Sequence, residues 1–474
     1  MRNMAILQAS AKDLPDSRLA RLKNLAGKVI AYLTSRDGEG RAGRMALVAF
    51  IIRIVSAAIA FVSQIILARL MGEHEYGIFV FVWVLVILIG NLSCLGFHSA
   101  QIRFLPQFEA INDFERVRGL AITARVFALV SSTAVALLGF GALHLFGGYI
   151  ENYYVVPLFI ALFILPMVAL GDTMEGTARA NSWAFVALSP TYLVRPMLIL
   201  LFMLGLIYAG EPQTAKTAML ASLAATYVTT LGQLFNIKSR LRRRYEKGPV
   251  RIEFADWFRV ALPIFLIEGF GFLLTNSDTV VAGLFLDPTD VGIYFAASKT
   301  MALVQFVYFS VKAASAPRFS ALYGAGDHLE LSRFAGRTVR WSFWPALAVG
   351  LVMLAAGNLL LSMFGPGFTA GYSVLVILFF GILAKASVGP GEVLLTMAGE
   401  QKLCVKLYAA ALGANVVLNV VLVPQYGING AALAAAGAMF IEAALLHVAV
   451  RHKLSIVLFA FARPDSQRVP ATGA

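Results

Sequence analysis

Five cations, Arg53, Arg125, Arg195, Lys299 and Lys385, stand inside long apolar stretches of this 474-residue chain, as do the acids Glu268, Asp278, Glu392 and Glu442. Asp172 and Glu175 stand nearer the end of such a stretch. A charge held at the centre of a bilayer costs at least about 2.5–3.5 kcal/mol, so each must face a cavity or an opposite charge. Fixed cations lining a cleft can replace the hydration shell of an anion, and arginine adds a planar fork matched to phosphate oxygens. Arg53 lies about nine residues inside its stretch, roughly 12 Å from the end at ~1.5 Å per residue, and Arg195 and Lys385 also fall near mid-depth. Glu268, Asp278 and Glu392 are candidates for ion coupling, since a carboxylate at that depth can exchange a proton or a sodium ion as the fold moves. Asp278 has the oxygen-bearing neighbours Asn276, Ser277 and Thr279, and Glu392 follows Gly389-Pro390-Gly391, which interrupts its helix and frees backbone groups. The plainer alternative is ion pairing: Lys299 would neutralise Asp278, and Arg53 would neutralise Glu268. A further plain use falls to Asn415 and Asn419, which share a helix face at i and i+4 and would bond to neighbouring helices.

The elements that must position these residues are membrane spans. The chain is 59% apolar and 14% charged, with a mean hydropathy of +0.77, far from the composition of a soluble enzyme, a coiled coil or a disordered chain. A helix needs about 20 apolar residues to cross ~30 Å of hydrocarbon. Twelve runs qualify: 45–69, 77–98, 119–143, 153–173, 184–208, 215–236, 257–286, 291–314, 339–364, 371–397, 402–423 and 428–450. The predicted fold class is therefore an all-α polytopic membrane protein. Two cysteines, Cys94 and Cys404, lie in apolar runs without metal-type spacing, so neither a disulfide framework nor a metal site is expected. The first run starts too late and is too long for a secretory signal, and no cleavage is expected.

Positive charge tests this topology, because loops rich in Lys and Arg stay cytoplasmic. An even helix count puts both termini on one side, and with that side cytoplasmic its loops and ends carry 32 of the 39 cations while the opposite loops carry only Arg69 and Lys216. One missed span would invert every later loop and destroy the asymmetry. The basic balance thus marks orientation in a membrane, not nucleic-acid binding.

Residues 1–44 form a basic arm in which Leu19, Leu22, Ala26, Val29, Ile30 and Leu33 make one apolar stripe, suited to a helix lying on the anionic leaflet or to a solvated arm. A bundle of six helices follows over 45–237, then a basic linker at 238–256, a second six-helix bundle over 257–453, and a tail at 454–474. The halves look duplicated. Met71-Gly72 with Glu75-Tyr76-Gly77-Ile78-Phe79 recurs 215 positions later as Leu286-Asp287 with Asp290-Val291-Gly292-Ile293-Tyr294, and Arg103-Phe104 recurs at the same offset as Arg318-Phe319. Halves with an even helix number keep one orientation and would enclose a central cleft. Gly72, Gly77 and Gly292 are expected at tight turns on the side away from the basic loops.

Three stretches resemble the Wzx-type polysaccharide flippases of the multidrug/oligosaccharidyl-lipid/polysaccharide exporter superfamily. They are ARLMGEHEYGIFVF through LGFHSAQIRFLP, LLTNSDTVVAGLFLDPTDVGIYFAASK through APRFSALYGAGD, and MAGEQKLCVKLYAAALGANVVLNVVLVPQYGINGAALA. The resemblance spans nearly the whole chain and implies a V-shaped pair of six-helix bundles that alternate between inward-facing and outward-facing states. It implies an undecaprenyl-diphosphate-linked oligosaccharide as cargo, moved between leaflets of a bacterial inner membrane for O-antigen or exopolysaccharide synthesis. Arg53, Arg125, Arg195, Lys299 and Lys385 would then meet the anionic headgroup. Expected partners are that lipid-linked oligosaccharide, membrane lipids, a polysaccharide polymerase and a chain-length regulator; no cofactor is expected beyond a coupling proton or sodium ion.

Two neighbouring functions share the architecture: a multidrug exporter, which calls for an acidic, aromatic cleft, and a lipid II flippase, against which twelve rather than fourteen helices argues mildly. A membrane glycosyltransferase, ligase or polymerase needs acids or bases converging on sizeable loops. The loops opposite the basic face are short, and no Walker-type phosphate cradle is present, so catalysis is not expected.

Overall fold

The computed structural model describes the backbone of residues 38–462, and side chains from residue 55 onward with 267 and 313 excepted. The stripe at 17–33 and most of the tail, 463–474, lie outside the described residues. Fourteen α-helices follow one another: α1 (Gly38–Ser93), α2 (Phe97–Ala110), α3 (Phe114–Phe146), α4 (Asn152–Ala180), α5 (Ala184–Ser189), α6 (Arg195–Tyr208), α7 (Ala215–Arg244), α8 (Phe254–Phe285), α9 (Pro288–Gly324), α10 (His328–Ala355), α11 (Gly357–Ser362), α12 (Tyr372–Val388), α13 (Gly391–Met397) and α14 (Gln401–Leu454). No β-strand occurs among the described residues. Bilayer physics requires this, since a helix satisfies its own backbone groups in hydrocarbon.

Among the described residues, ten stretches are long and apolar enough to cross a membrane. Two of them are hairpins. α1 breaks at Gly72, with φ 74° and ψ 175°, and α14 at Gly427, with φ 58° and ψ −135°. A straight helix would hold Gln64 and Tyr76 about 18 Å apart, yet the Tyr76 hydroxyl donates to Gln64 Oε1 at 2.8 Å. Likewise a Cβ on Gly430 would sit 2.1 Å from the carbonyl oxygen of Leu422, so the arms of α14 double back at close range. Counting the arms separately gives twelve spans, six before the 245–253 connection and six after it.

Large apolar side chains such as Leu138, Leu145, Phe163, Phe235 and Leu284 are exposed on the outside, while many alanines are buried in the interior beside large rings such as Trp257, Tyr76 and Phe79. That inversion of soluble packing is expected where lipid replaces water and helices associate by close approach. Gly381 against Ala436 shows it: an added Cβ would fall 2.8 Å from the Ala436 Cα.

At the end of the molecule away from the basic loops the two halves meet at a glycine crossing. A Cβ on Gly77 would lie 1.6 Å from the carbonyl oxygen of Pro288, and one on Gly292 would lie 2.7 Å from that of Glu73. The two contacts are related by the 215-residue offset of the sequence repeat, so each half presents the same glycine to the other. These glycines serve a helix crossing inside α1 and α9, whereas Gly72 alone makes the expected turn. Around the crossing, Tyr76 packs edge-on to Phe295 and Phe368, and Arg69 closes the α11 end by donating to the Met363 carbonyl at 2.6 Å and that of Ser362 at 3.0 Å.

At the basic end the contact is of another kind. α8 begins against the first half, where Phe254 and Phe258 stack near Phe97 and Phe127, and Arg116 pairs with Glu253 at 2.9 Å. Its later turns belong to the second half, where Ser277 bonds Asn415 at 2.8 Å. One helix thus touches both bundles.

The glycine crossing makes a direct prediction. Gly77→Ala forces a methyl into a backbone carbonyl and lowers the thermal stability of the purified protein by the equivalent of about 1–3 kcal/mol or more. Gly205→Ala, whose Cβ meets nothing within 4 Å, leaves the melting temperature unchanged or raises it.

Candidate functional site

Two cavities lie on either side of α9. The first, of about 360 Å³, sits between the halves and is lined by Ser56, Ala57 and Ala60 of α1, Thr191, Tyr192 and Pro196 of the α5–α6 segment, and Phe306 and Phe309 of α9. Ser56, Ala57 and Ala60 form a helical stripe that extends back, at i−3, i−4 and i−7, to position 53. Arg53 therefore belongs to the cleft-lining register of α1, while its side chain lies outside the described residues.

The second cavity, of about 280 Å³, is enclosed by α8, α9, α10, α12, α13 and both arms of α14. It exists because the helix before it stops early: Gly389 adopts φ 67°, α12 ends at Val388, and α13 restarts at Gly391, as the Gly-Pro-Gly sequence predicts. Its walls carry three partnered carboxylates, two paired with lysines and one held by amides. Lys385 Nζ lies 2.8 Å from Glu442 Oε1 and 3.0 Å from Oε2. Lys312 pairs with Glu392, which also accepts from the Tyr408 hydroxyl. Asp278 Oδ1 accepts from Asn415 Nδ2 at 2.8 Å and from Asn419 Nδ2 at 3.0 Å. The Lys385 ammonium also stands 5.4 Å from the centre of the Tyr308 ring, and Tyr308 packs edge-on to Phe309. Phe309 lines both cavities and so stands between the charged chamber and the interlobe cleft.

The other candidates are scattered. Arg195, 3% exposed, starts α6 after a π-turn over Pro190–Val194 and is enclosed in the first half, with NH2 against Gly171 and Nε without a partner. Its charge is opposed by Asp172 and Glu175 of α4. Asp172 in turn accepts from Asn91 Nδ2 at 3.1 Å, and Glu175 pairs with Arg179. Lys299 does not reach Asp278: it is exposed, 4.8 Å above the Phe295 ring, and Asp278 is held by amides instead. Arg125 does not line either cavity; its Nε bonds the Ala121 carbonyl at 2.6 Å and it borders a groove on the outer surface. Glu268 accepts from Ser99 at 2.6 Å and lies 3.2 Å from His98 Nε2, a link between the halves rather than a member of the chamber. Asn415 and Asn419 do bond to a neighbouring helix, and what they hold is Asp278 itself. Sequence reading overlooked Lys312, counted with the loop cations, and Tyr408, Tyr308 and His98. Only Lys312 gave a signal: it sits one helical turn after Tyr308 in a helix that continues past the predicted end at 314 to Gly324.

Comparison with known proteins follows the same lines. The sequence profile of a family described as polysaccharide biosynthesis protein matches residues 42–323, more than half of the chain. The chain belongs to that family. A second profile, MatE, matches residues 263–421. An uncharacterized membrane protein of Methanocaldococcus jannaschii is 20% identical over 410 residues, which cover 82% of this chain and 79% of the relative. Among solved structures, an inward-facing multidrug resistance MATE family transporter of the MOP superfamily superposes with a TM-score of 0.67 at 15% identity, covering 86% of this chain and 98% of its own. The lipid II flippase MurJ in an inward closed conformation also gives 0.67, at 13% identity over 85% of this chain and 87% of its own. The fold is that of a MATE-like exporter, and the protein is a multi-pass membrane protein.

Pairing in the chamber is testable by a double-mutant cycle. Lys385→Met and Glu442→Leu each strand a charge at membrane depth and lower the melting temperature. The double variant loses less than the sum, with a coupling of roughly 1–3 kcal/mol. Additive losses would mean that the two side chains act independently.

Proposed function

We propose that this transporter is a flippase for an undecaprenyl-diphosphate-linked oligosaccharide, which it carries by alternating access from the cytoplasmic to the outer leaflet of a bacterial inner membrane. The product would feed cell-surface polysaccharide, an O-antigen or exopolysaccharide, with a polymerase and a chain-length regulator acting downstream. The observation that carries this reading is the interlobe cleft, bordered by both halves and lined along the α1 register that contains Arg53. In this reading a diphosphate headgroup would enter that cleft while the lipid tail stays in the bilayer. A multidrug exporter for cationic compounds is the weaker reading, because each chamber carboxylate, Glu392, Glu442 and Asp278, already has its cation or amide partners.

The chamber has a separate task in this proposal. Protonation of Glu442 or Glu392, or a sodium ion drawn to Asp278 and its amides, would release or redistribute the lysine charges behind Tyr308 and Phe309. That change of charge against the wall of the cleft is what couples ion movement to cargo release. Energetically it needs only a difference in ion affinity between the two states of the transporter.

Deleting the gene should abolish surface polysaccharide and leave lipid-linked oligosaccharide in the cytoplasmic leaflet; wild-type protein restores output. Arg53→Ala should reduce output at least tenfold at equal membrane abundance, with partial rescue by Arg53→Lys. Unchanged polysaccharide in the deletion strain, together with new sensitivity to cationic compounds, would favour the exporter reading instead.

A further inference from the structure

The outer surface of the first half carries a groove that neither cavity uses. It runs between the basic ends of α3 and α7, both of which pack on α4, and has a volume of about 230 Å³. Two helical stripes build it: Arg118, Ala121, Ile122 and Arg125 on α3, at i, i+3, i+4 and i+7, face Lys238, Leu241, Arg242 and Tyr245 on α7 with the same spacing. With Lys247 the groove holds five cations against one acid, Glu246. Arg118 is anchored by its bonds to the carbonyls of Pro249, at 2.9 Å, and Glu246, at 3.1 Å. Arg125, three turns into α3, forms no ion pair among the described residues.

Beyond Arg125 the walls change character. Val126 and Leu129 on α3 are 55% and 38% exposed, and Leu231, two turns above Lys238 on α7, is 51% exposed. The groove is thus cationic at the level of the membrane surface and apolar towards the membrane centre. A free anion would use only its lower part, and an acyl chain only its upper part. An amphiphile with a negative head and a hydrocarbon tail uses both.

We infer that this groove is a binding site for an anionic glycerophospholipid of the cytoplasmic leaflet, its phosphate held by Arg125, Lys238 and Arg242 and its acyl chain lying along Val126, Leu129 and Leu231. The site adjoins the 245–253 connection between the halves, whose carbonyls Arg118 holds, so a bound lipid braces the root of the segment that must flex when the bundles rock. It is separate from the cleft and needs no cargo.

The test uses the full-length protein in nanodiscs and in detergent. Fluorescent phosphatidylglycerol should bind in preference to phosphatidylcholine, and added phosphatidylglycerol should raise the melting temperature. Removing three charges in Arg125→Gln/Lys238→Gln/Arg242→Gln should weaken that binding by about a hundredfold, roughly fivefold per charge. Arg240→Gln/Arg243→Gln, which removes charge from the other face of α7, serves as the control and should bind as the wild type does. Equal losses in both variants would reduce the effect to general basic charge and overturn the site. So would equal stabilisation by phosphatidylcholine, or by inorganic phosphate alone. Should the triple variant unfold, Arg125→Gln alone must still lose about fivefold, and its failure to do so would overturn the proposal as well.

Discussion

Charge at membrane depth needs a partner, and that requirement organises most of this molecule. Lys385 has Glu442, Lys312 has Glu392, and Asp278 has two asparagine amides. Each partnership crosses between helices far apart in sequence: α12 with α14, α9 with α13, α8 with α14. They therefore act as cross-braces of the second half while keeping a polar chamber open within it. Buried pairs of this kind add little net stability compared with apolar packing, but breaking one leaves an uncompensated charge.

The two halves meet by different physics at their two ends. At one end, glycines let backbones touch, with Gly77 over Pro288 and Gly292 over Glu73, and aromatic rings fill the surroundings. Arg69 of the first half adds bonds to the Met363 and Ser362 carbonyls of the second, so this end is held by close backbone contact and hydrogen bonds without an ion pair between Arg69 and a carboxylate among the described residues. At the other end, α8 alone bridges the bundles through phenylalanine stacking and the contact of Glu268 with His98 and Ser99. Pro263 in the early part of α8 removes a backbone bond where the helix passes from one half to the other. A helix that belongs to both bundles and is weakened at the crossing point is a natural place for relative motion to be absorbed.

The sequence spoke clearly where physics is one-dimensional. Hydropathy delivered twelve spans, because length and apolarity are properties of a segment alone; the glycine hairpins at Gly72 and Gly427 fall between runs read as separate helices. The Gly-Pro-Gly break before Glu392 was legible for the same reason, as were the duplicated motifs. Pairing was not legible. Lys299 and Asp278 lie on adjacent spans and looked complementary, yet Lys299 stands over the Phe295 ring while α14 brings two amides to Asp278. Arg125 looked like a cleft residue because periodicity gives depth but not azimuth, and the rotation of α3 is set by its packing on α4. α2 was hidden as well, since its mixed polarity at 97–110 reads as loop.

Why the charged chamber lies behind α9, and not in the cleft itself, follows from the same electrostatics. Under the proposed function, an affinity for the anionic headgroup that is the same in every state shifts no equilibrium. Behind Tyr308 and Phe309 the lysines act on the cleft only through a wall, and their field there depends on whether Glu442 and Glu392 carry charge. Phe309, which lines both cavities, packs edge to face on Tyr308, whose ring stands 5.4 Å from the Lys385 ammonium. Under the proposed function, the arrangement would make the influence of these cations on cargo conditional on the charge of Glu442 and Glu392. Conditional affinity is the property a transporter needs and a binding protein does not.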